Sequence, residues 1–259
     1  MVRTFIVLSL VSCVSLLADD TGRTFQFDLH RVGPTFEGHF KGQQDGKPLV
    51  VDLKEDFGLQ KDATKVGFGM EYQGPRFGLE LSAEEQDYRG HNFVQKDVQI
   101  NGSTFRAGAM VDSTVKLKDY TFNWTIRAFK WPQFWIGIDL GARVWDLDMT
   151  ASGYEPLTTA FIPPVNEKVP LPIPQIGLST GFDAFDKRVV ARGYYHLLSY
   201  KGASYHHVGA DVRFFPVKWL GVRVFTDAEK IDVPNGSIKD DLEIRLDRQG
   251  TGFGVVVRF

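Results

Sequence analysis

Cysteine is almost absent from this chain: Cys13 is the only one in 259 residues. It falls in an N-terminal stretch that reads as an export signal, so the mature chain is expected to hold no disulfide and no thiolate nucleophile. Long apolar runs are also scarce. Beyond the N-terminus there is no stretch of eighteen apolar residues, and mean hydropathy is slightly negative. A helical membrane protein is thereby excluded. Nor does one sign of charge dominate. The 30 Lys and Arg stand against 32 Asp and Glu, and loss of Arg3 with the signal leaves the balance near neutral. That offers no basis for nucleic-acid binding.

Aromatics are plentiful, with 21 Phe, 8 Tyr and 5 Trp. Arg3 gives a short positive start, Phe5 to Leu17 an apolar run, and Ala18 a small residue before Asp19-Asp20. This pattern predicts a signal peptide over 1–18 and a single domain over 19–259. Leu10-Val11-Ser12-Cys13 also fits a lipoprotein processing box, in which Cys13 would be acylated.

Four hairpins can be read from the turns between alternating segments. The turns are Gln73-Gly74-Pro75-Arg76, Lys130-Trp131-Pro132-Gln133, Asp186-Lys187-Arg188 and Pro216-Val217-Lys218-Trp219. Beside them stand Tyr72, Phe77, Phe129, Trp131, Phe134, Trp135, Phe185, Phe214, Phe215 and Trp219, which read as a girdle at a membrane interface. The opposite connections are long and polar: 42–63, 89–118, 149–175, and the shorter 234–241. Six prolines between Pro156 and Pro174 predict a stiff, non-helical loop there. Asn101-Gly102 and Asn235-Gly236 suggest hairpins beyond the membrane. Along the strands, Ile136, Ile138 and Leu140 alternate with Gly137, Asp139 and Gly141, so apolar side chains face lipid and small or charged ones face inward. A soluble sandwich would alternate with the faces reversed. Nine strands run from Lys65 onward and one more comes from Thr24 to Gly42, with a bulge expected near Gln249-Gly250. The fold class predicted is an all-β, up-and-down antiparallel transmembrane barrel of ten strands, with eight or twelve as alternatives.

The last nine residues carry a resemblance. Phe253, Val255, Val257 and Phe259 form one apolar face, and Gly254, Val257 and Phe259 resemble the C-terminal assembly signal of bacterial outer-membrane proteins; Gly252 replaces a polar residue of that pattern. The mature chain resembles small outer-membrane barrels. The resemblance implies an outer-membrane location, contact with outer-membrane lipids and lipopolysaccharide, and insertion by the barrel assembly machinery. It implies no activity.

The candidate site is the inward charge of the strands: Glu71, Glu80, Glu84, Asp139, Asp183, Asp211 and Asp227 against Lys65, Arg127, Arg143, Arg192, Arg213, Arg223 and Arg258. Unpaired charge in a narrow lumen is expensive, so mutual pairing is expected. A closed, non-enzymatic, charge-paired core without cofactor or metal is the first reading. A narrow path for ions or small solutes is the second, although ten strands leave little room for one. Catalysis ranks last. His196 and Ser199 do not match the His-x-Ser pattern of lipid A deacylases, and no Asp-His element matches the omptin proteases. His206 and His207 face opposite sides of a strand and read as solvated rim residues. Asp240-Asp241, with Asp227, Asp232 and Lys239 nearby, reads as an acidic loop. Val51-Asp52-Leu53-Lys54-Glu55-Asp56-Phe57-Gly58-Leu59 looks like an element of uncharacterised outer-membrane barrels and reads as a cap or plug.

Overall fold

The computed structural model describes residues 23–44, 47–56, 58–59, 65–100, 103–155, 160–234 and 243–259. The signal stretch with Cys13, and the Lys239 to Asp241 segment, lie outside them. In chain order the strands are β1 (Thr24–Gln44), β2 (Lys47–Asp52), β3 (Lys65–Gln73), β4 (Phe77–Phe93), β5 (Val98–Ile100), β6 (Ser103–Phe105) and β7 (Met110–Lys130). They continue as β8 (Phe134–Glu155), β9 (Ala160–Ala184), β10 (Val189–Tyr200), β11 (Ala203–Val217), β12 (Leu220–Val233) and β13 (Ile244–Arg258). Ten of them, all but β2, β5 and β6, form one antiparallel ring, closed by β13 on β1 from Gln26 opposite Arg258 to Phe40 opposite Ile244. Closure leaves the spanning wall without a free edge, which a lipid environment requires. The lower part of β1 pairs with β3 and its upper part with β2.

The apolar side chains that point outward form a belt. Leu81, Phe122, Leu140, Leu178, Val212, Val224 and Phe253 are all exposed. Above it, the outer face turns charged: Glu85 pairs in register with Lys118 and Lys118 with Asp146, while Lys168 Nζ lies 3.3 Å from Asp148. The interior changes at the same height in the opposite sense. On β7 the inward side chain goes from Asp119 to Leu117 as the outward one goes from Tyr120 to Lys118. On β8 it goes from Arg143 to Trp145 as Val144 gives way to Asp146; on β12, from Glu229 to Ile231 as Ala228 gives way to Lys230. Where lipid lies outside, the apolar faces point out; where water lies outside, they turn in.

This inversion corrects three expectations. There is no bulge near Gln249-Gly250: β13 keeps unbroken register with both neighbours. The apolar residues change face along it because Ile244 and Leu246 are interior residues of the aqueous part, whereas Phe253 and Val255 face lipid. The stretches 89–118 and 149–175 are not mainly loops, since the walls of β4, β7, β8 and β9 continue through them. From Ala160 on, the proline-rich segment is likewise strand, with Val144 opposite Pro172 and Ala142 opposite Pro174. Its pairing with β10 stops at Ile176 opposite Leu197. Pro170, Pro172 and Pro174 are two residues apart and so direct their hydrogen-less nitrogens to one side. The ladder with β8 continues through all three, so they face the side on which β9 before Ile176 has no partner strand among the described residues, where proline is tolerated.

The upper interior is a single apolar cluster that includes Tyr88, Val115, Leu117, Trp145, Leu147, Leu171, Ile173, Ile231, Ile244 and Leu246. The β5–β6 hairpin, which flanks Asn101-Gly102, adds Val98 and Phe105, and the 51–59 segment adds Leu53 and Leu59. Within that segment residues 53–56 form a turn. Asp52 Oδ1 accepts from the Lys54 and Glu55 amides at 2.8 and 2.7 Å, and the Gly58 amide reaches the Lys54 carbonyl at 2.9 Å. Gly58 has φ +65°, and a Cβ there would lie 2.7 Å from Asn92 Cβ, so glycine ends the turn. The pattern V-D-L-x-x-D-x-G-L thus encodes a capped turn whose two leucines close the top of the barrel.

Candidate functional site

Beneath the apolar cluster the lumen is a layer of charge. Glu71 pairs with Arg192 and with Arg213, the latter at 2.5 Å; Arg213 also holds Asp211 at 2.7 Å and Gln26 at 2.7 Å. Arg223 spans Asp28 at 2.7 Å and Asp211 at 3.6 Å. Higher up, Arg143 pairs with Asp119 and, at 2.8 Å, with Glu229. Arg248 reaches Asp119, Asp227, Glu229 and Glu84 at 3.2, 2.9, 3.2 and 3.6 Å. His30 joins the two halves. Its Nδ1 lies 3.0 Å from Asp28 and its Nε2 3.1 Å from Glu84. Both ring nitrogens thus face a carboxyl group.

Of the remaining sequence candidates, Asp139 accepts from Thr125 at 2.7 Å, Ser179 at 2.8 Å and His196 Nε2 at 2.9 Å. Glu80 lines the chamber beside them. Arg127 and Asp183 lie lower. Arg127 donates to the Gly74 carbonyl at 2.9 Å and stacks 4.8 Å over Trp135, while the Asp183 amide donates to the Gln133 carbonyl. Arg258 lies at the bottom, over Phe215. The Lys65 side chain lies outside the described residues. Sequence reasoning missed Asp28, His30, Asp119, Glu229 and Arg248. Each continues an inward alternation: Asp119 directly follows the loop assigned over 89–118, Arg248 directly precedes the bulge assigned at Gln249-Gly250, and Asp28, His30 and Glu229 extend the faces of β1 and β12.

Two further corrections concern the interior. His207 is buried, not solvated, as is His196 on the neighbouring strand; His207 faces Tyr194 at 3.3 Å and Asp227 at 3.6 Å. His206 is exposed and meets the Tyr195 hydroxyl at 2.8 Å. Trp135 and Phe215 leave the girdle and point inward. Phe215, Val190 and Val256 form a small apolar cluster at the short-turn end. Three layers result, apolar, charged, apolar. The cavity left in the middle layer is about 90 Å³ and is lined by Glu80, Asp139, Gln175, Tyr194, His196 and Asp227 among others. His196 Nδ1, Asn123 Oδ1 and Gln175 Nε2 are buried without a partner among the described residues, and the space would hold a few waters to satisfy them.

His207, Asp227 and Glu229 offer donor atoms within 4.8 Å of one another. Arg143 and Arg248 already hold both carboxylates, so a cation would compete with two guanidiniums. Above the belt, Tyr88 donates to Gln86 Oε1 at 2.6 Å, and burial pushes its phenol above the usual range.

At the last strand the three residues of the terminal pattern separate. Gly254 lies against β1, where a Cβ would approach the Leu29 carbonyl and His30 Cβ to 2.7 Å. Val257 and Phe259 are half-buried on the outer side, with the Phe259 ring 6.3 Å from that of Phe27.

A closed ten-strand ring, an outward apolar belt and short turns at one end leave one fold class. This is an outer-membrane β-barrel fold. Among solved structures, the barrel is similar to the outer membrane protease OmpT from Escherichia coli (TM-score 0.64, 10% identity, covering 91% of this chain and 97% of that one). It also aligns with the translocator domain of the autotransporter NalP from Neisseria meningitidis (0.42, 11%, 96% and 95%) and with Ail of Yersinia pestis (0.34, 13%, 90% and 99%). No family model and no curated protein sequence matches the chain.

Proposed function

We propose that the protein is an integral barrel of the bacterial outer membrane with a sealed lumen. It works through its wall and its extracellular extension, as an interaction surface or an envelope support, and neither conducts nor catalyses. The layered interior carries this reading: the charged layer is bracketed by the Trp145 to Leu246 cluster above and by Phe215, Val190 and Val256 below. The ion pairs act as the structural filling of a small barrel. On this reading Gly254, Val257 and Phe259 engage the barrel assembly machinery, and the belt and the charged band above it meet outer-membrane lipid and lipopolysaccharide.

One observation favours a hydrolytic reading: His196, fixed by Asp139, keeps Nδ1 open to the chamber, as an oriented general base would. The chamber lies below Trp145 and the cap, beyond the reach of a peptide or a lipid from outside, so the sealed barrel is the better supported. Planar-bilayer recording of the refolded, heat-modifiable protein tests it. Silence is the expected result; unitary conductance steps would replace it with a channel.

A further inference from the structure

The short-turn end carries charge of nearly one sign. Arg23 precedes β1, Arg76 lies between β3 and β4, Lys130 ends β7, Lys187 and Arg188 stand between β9 and β10, and Lys218 stands between β11 and β12. All are exposed except the half-buried Lys187, and Asp186 is the one acid in these turns. A chain of formal charge −2 thus gathers, among the described residues of these turns and strand ends, six cations against Asp186 and the half-buried Asp183. In an outer-membrane barrel the short turns are periplasmic.

The lipid-facing wall next to Arg23 is hollowed. Phe25, Met70, Tyr72, Phe77, Leu79 and Leu81 enclose a trough of about 440 Å³ with Arg23 at its rim. Met70 and Tyr72 are half-buried between more exposed neighbours on β4, and Tyr72 packs 4.8 Å from Phe25 and 5.5 Å from Phe77.

We propose that this rim is a docking surface for anionic phospholipid of the periplasmic leaflet, with a phosphate on Arg23 and an acyl chain in the trough. The inference rests on the membrane placement proposed above. The cations stand beside exposed Phe77, Phe129, Trp131 and Trp219, at the depth where aromatics meet headgroups. The trough is apolar and opens onto the belt, so it suits a hydrocarbon chain and not a hydrated glycan. Each cation near an anionic surface is worth about fivefold in partition.

The test uses the full-length protein, refolded and checked for its heat shift, then placed in nanodiscs of phosphatidylcholine with a minority of phosphatidylglycerol. Lipids retained after extraction are counted by native mass spectrometry. Phosphatidylglycerol should be retained over phosphatidylcholine, and Arg23→Gln with Arg76→Gln should cut that preference more than tenfold. Met70→Trp, which fills the trough with the cations intact, should reduce retention as well. Lys116→Gln with Lys168→Gln, at the other end of the wall, should leave it unchanged. Equal retention of the two lipids by heat-modifiable protein overturns the lipid site alone, whereas failure to insert overturns the membrane placement with it. Co-sedimentation with isolated peptidoglycan, lost in the Arg23/Arg76 double variant, would hand the rim to the cell wall instead.

Discussion

Arg258 places its guanidinium 3.7 Å from the centre of the Phe215 ring and donates to the Lys187 carbonyl at 2.7 Å. The turn it holds is costly, because Phe185, Asp186 and Lys187 have φ of 52°, 54° and 60°. Left-handed backbone costs a non-glycine residue about 1 kcal/mol or more. The mutation Arg258→Ala removes the stacked cation and the donor together and is expected to lower stability by about 2 kcal/mol. Urea unfolding in detergent measures it. A midpoint equal to the parent's would mean the turn holds itself.

Within the charge layer, position decides the cost. Asp119→Asn deprives Arg143 and Arg248 of a carboxylate they share and should destabilise by about 3–5 kcal/mol. Lys118→Gln, one residue away on the watered outer face, should cost under about 1 kcal/mol. Comparing the two heat-shift temperatures checks this, and similar losses would sink the claim of a desolvated lumen.

Gly254 and Gly33 lie on adjoining strands, opposite His30 and Thr251 respectively. A Cβ on Gly254 would reach the Leu29 carbonyl and His30 Cβ at 2.7 Å, whereas a Cβ on Gly33 meets nothing within 4 Å. Gly254→Ala should therefore reduce the folded, heat-modifiable fraction, and Gly33→Ala should not. Refolding yields read on an unheated gel give the answer.

Replacing Pro170, Pro172 and Pro174 together by Thr restores three N–H groups to the side of β9 that has no partner strand among the described residues. Pairing between molecules through that side should then raise the dimer fraction, which light scattering in detergent would detect. A variant that stays as monomeric as the parent would show that the prolines do not guard it.

The ring of ten strands and the facing of its lower half were legible because period two is unambiguous where lipid outside and charge inside oppose each other, as from Ile136 to Arg143. Legibility failed where the solvent changed. Asp119 and Arg248 sit just below the inversion, and a reader following apolar-out alternation loses the face there. The parity break in the final strand looked like an inserted residue when the surroundings had changed and the backbone had not. His207 looked like a rim residue because nothing local marks a histidine as buried; its partner Asp227 comes from another strand. Leu53 and Leu59 were readable only as members of a recurring pattern, since their role depends on a cluster built by distant walls.

The matched reversal at Asp119 and Leu117 inside, Tyr120 and Lys118 outside, gives the molecule a waterline. Moving the wall inward by one residue pair would sink the Glu85, Lys118 and Asp146 row into hydrocarbon; moving it outward would strand bare Phe122 and Leu140 in water. Immersion depth is therefore written into the chain at the residue level. Host bilayers thicker or thinner than the belt should each weaken the barrel, with a single best thickness between them.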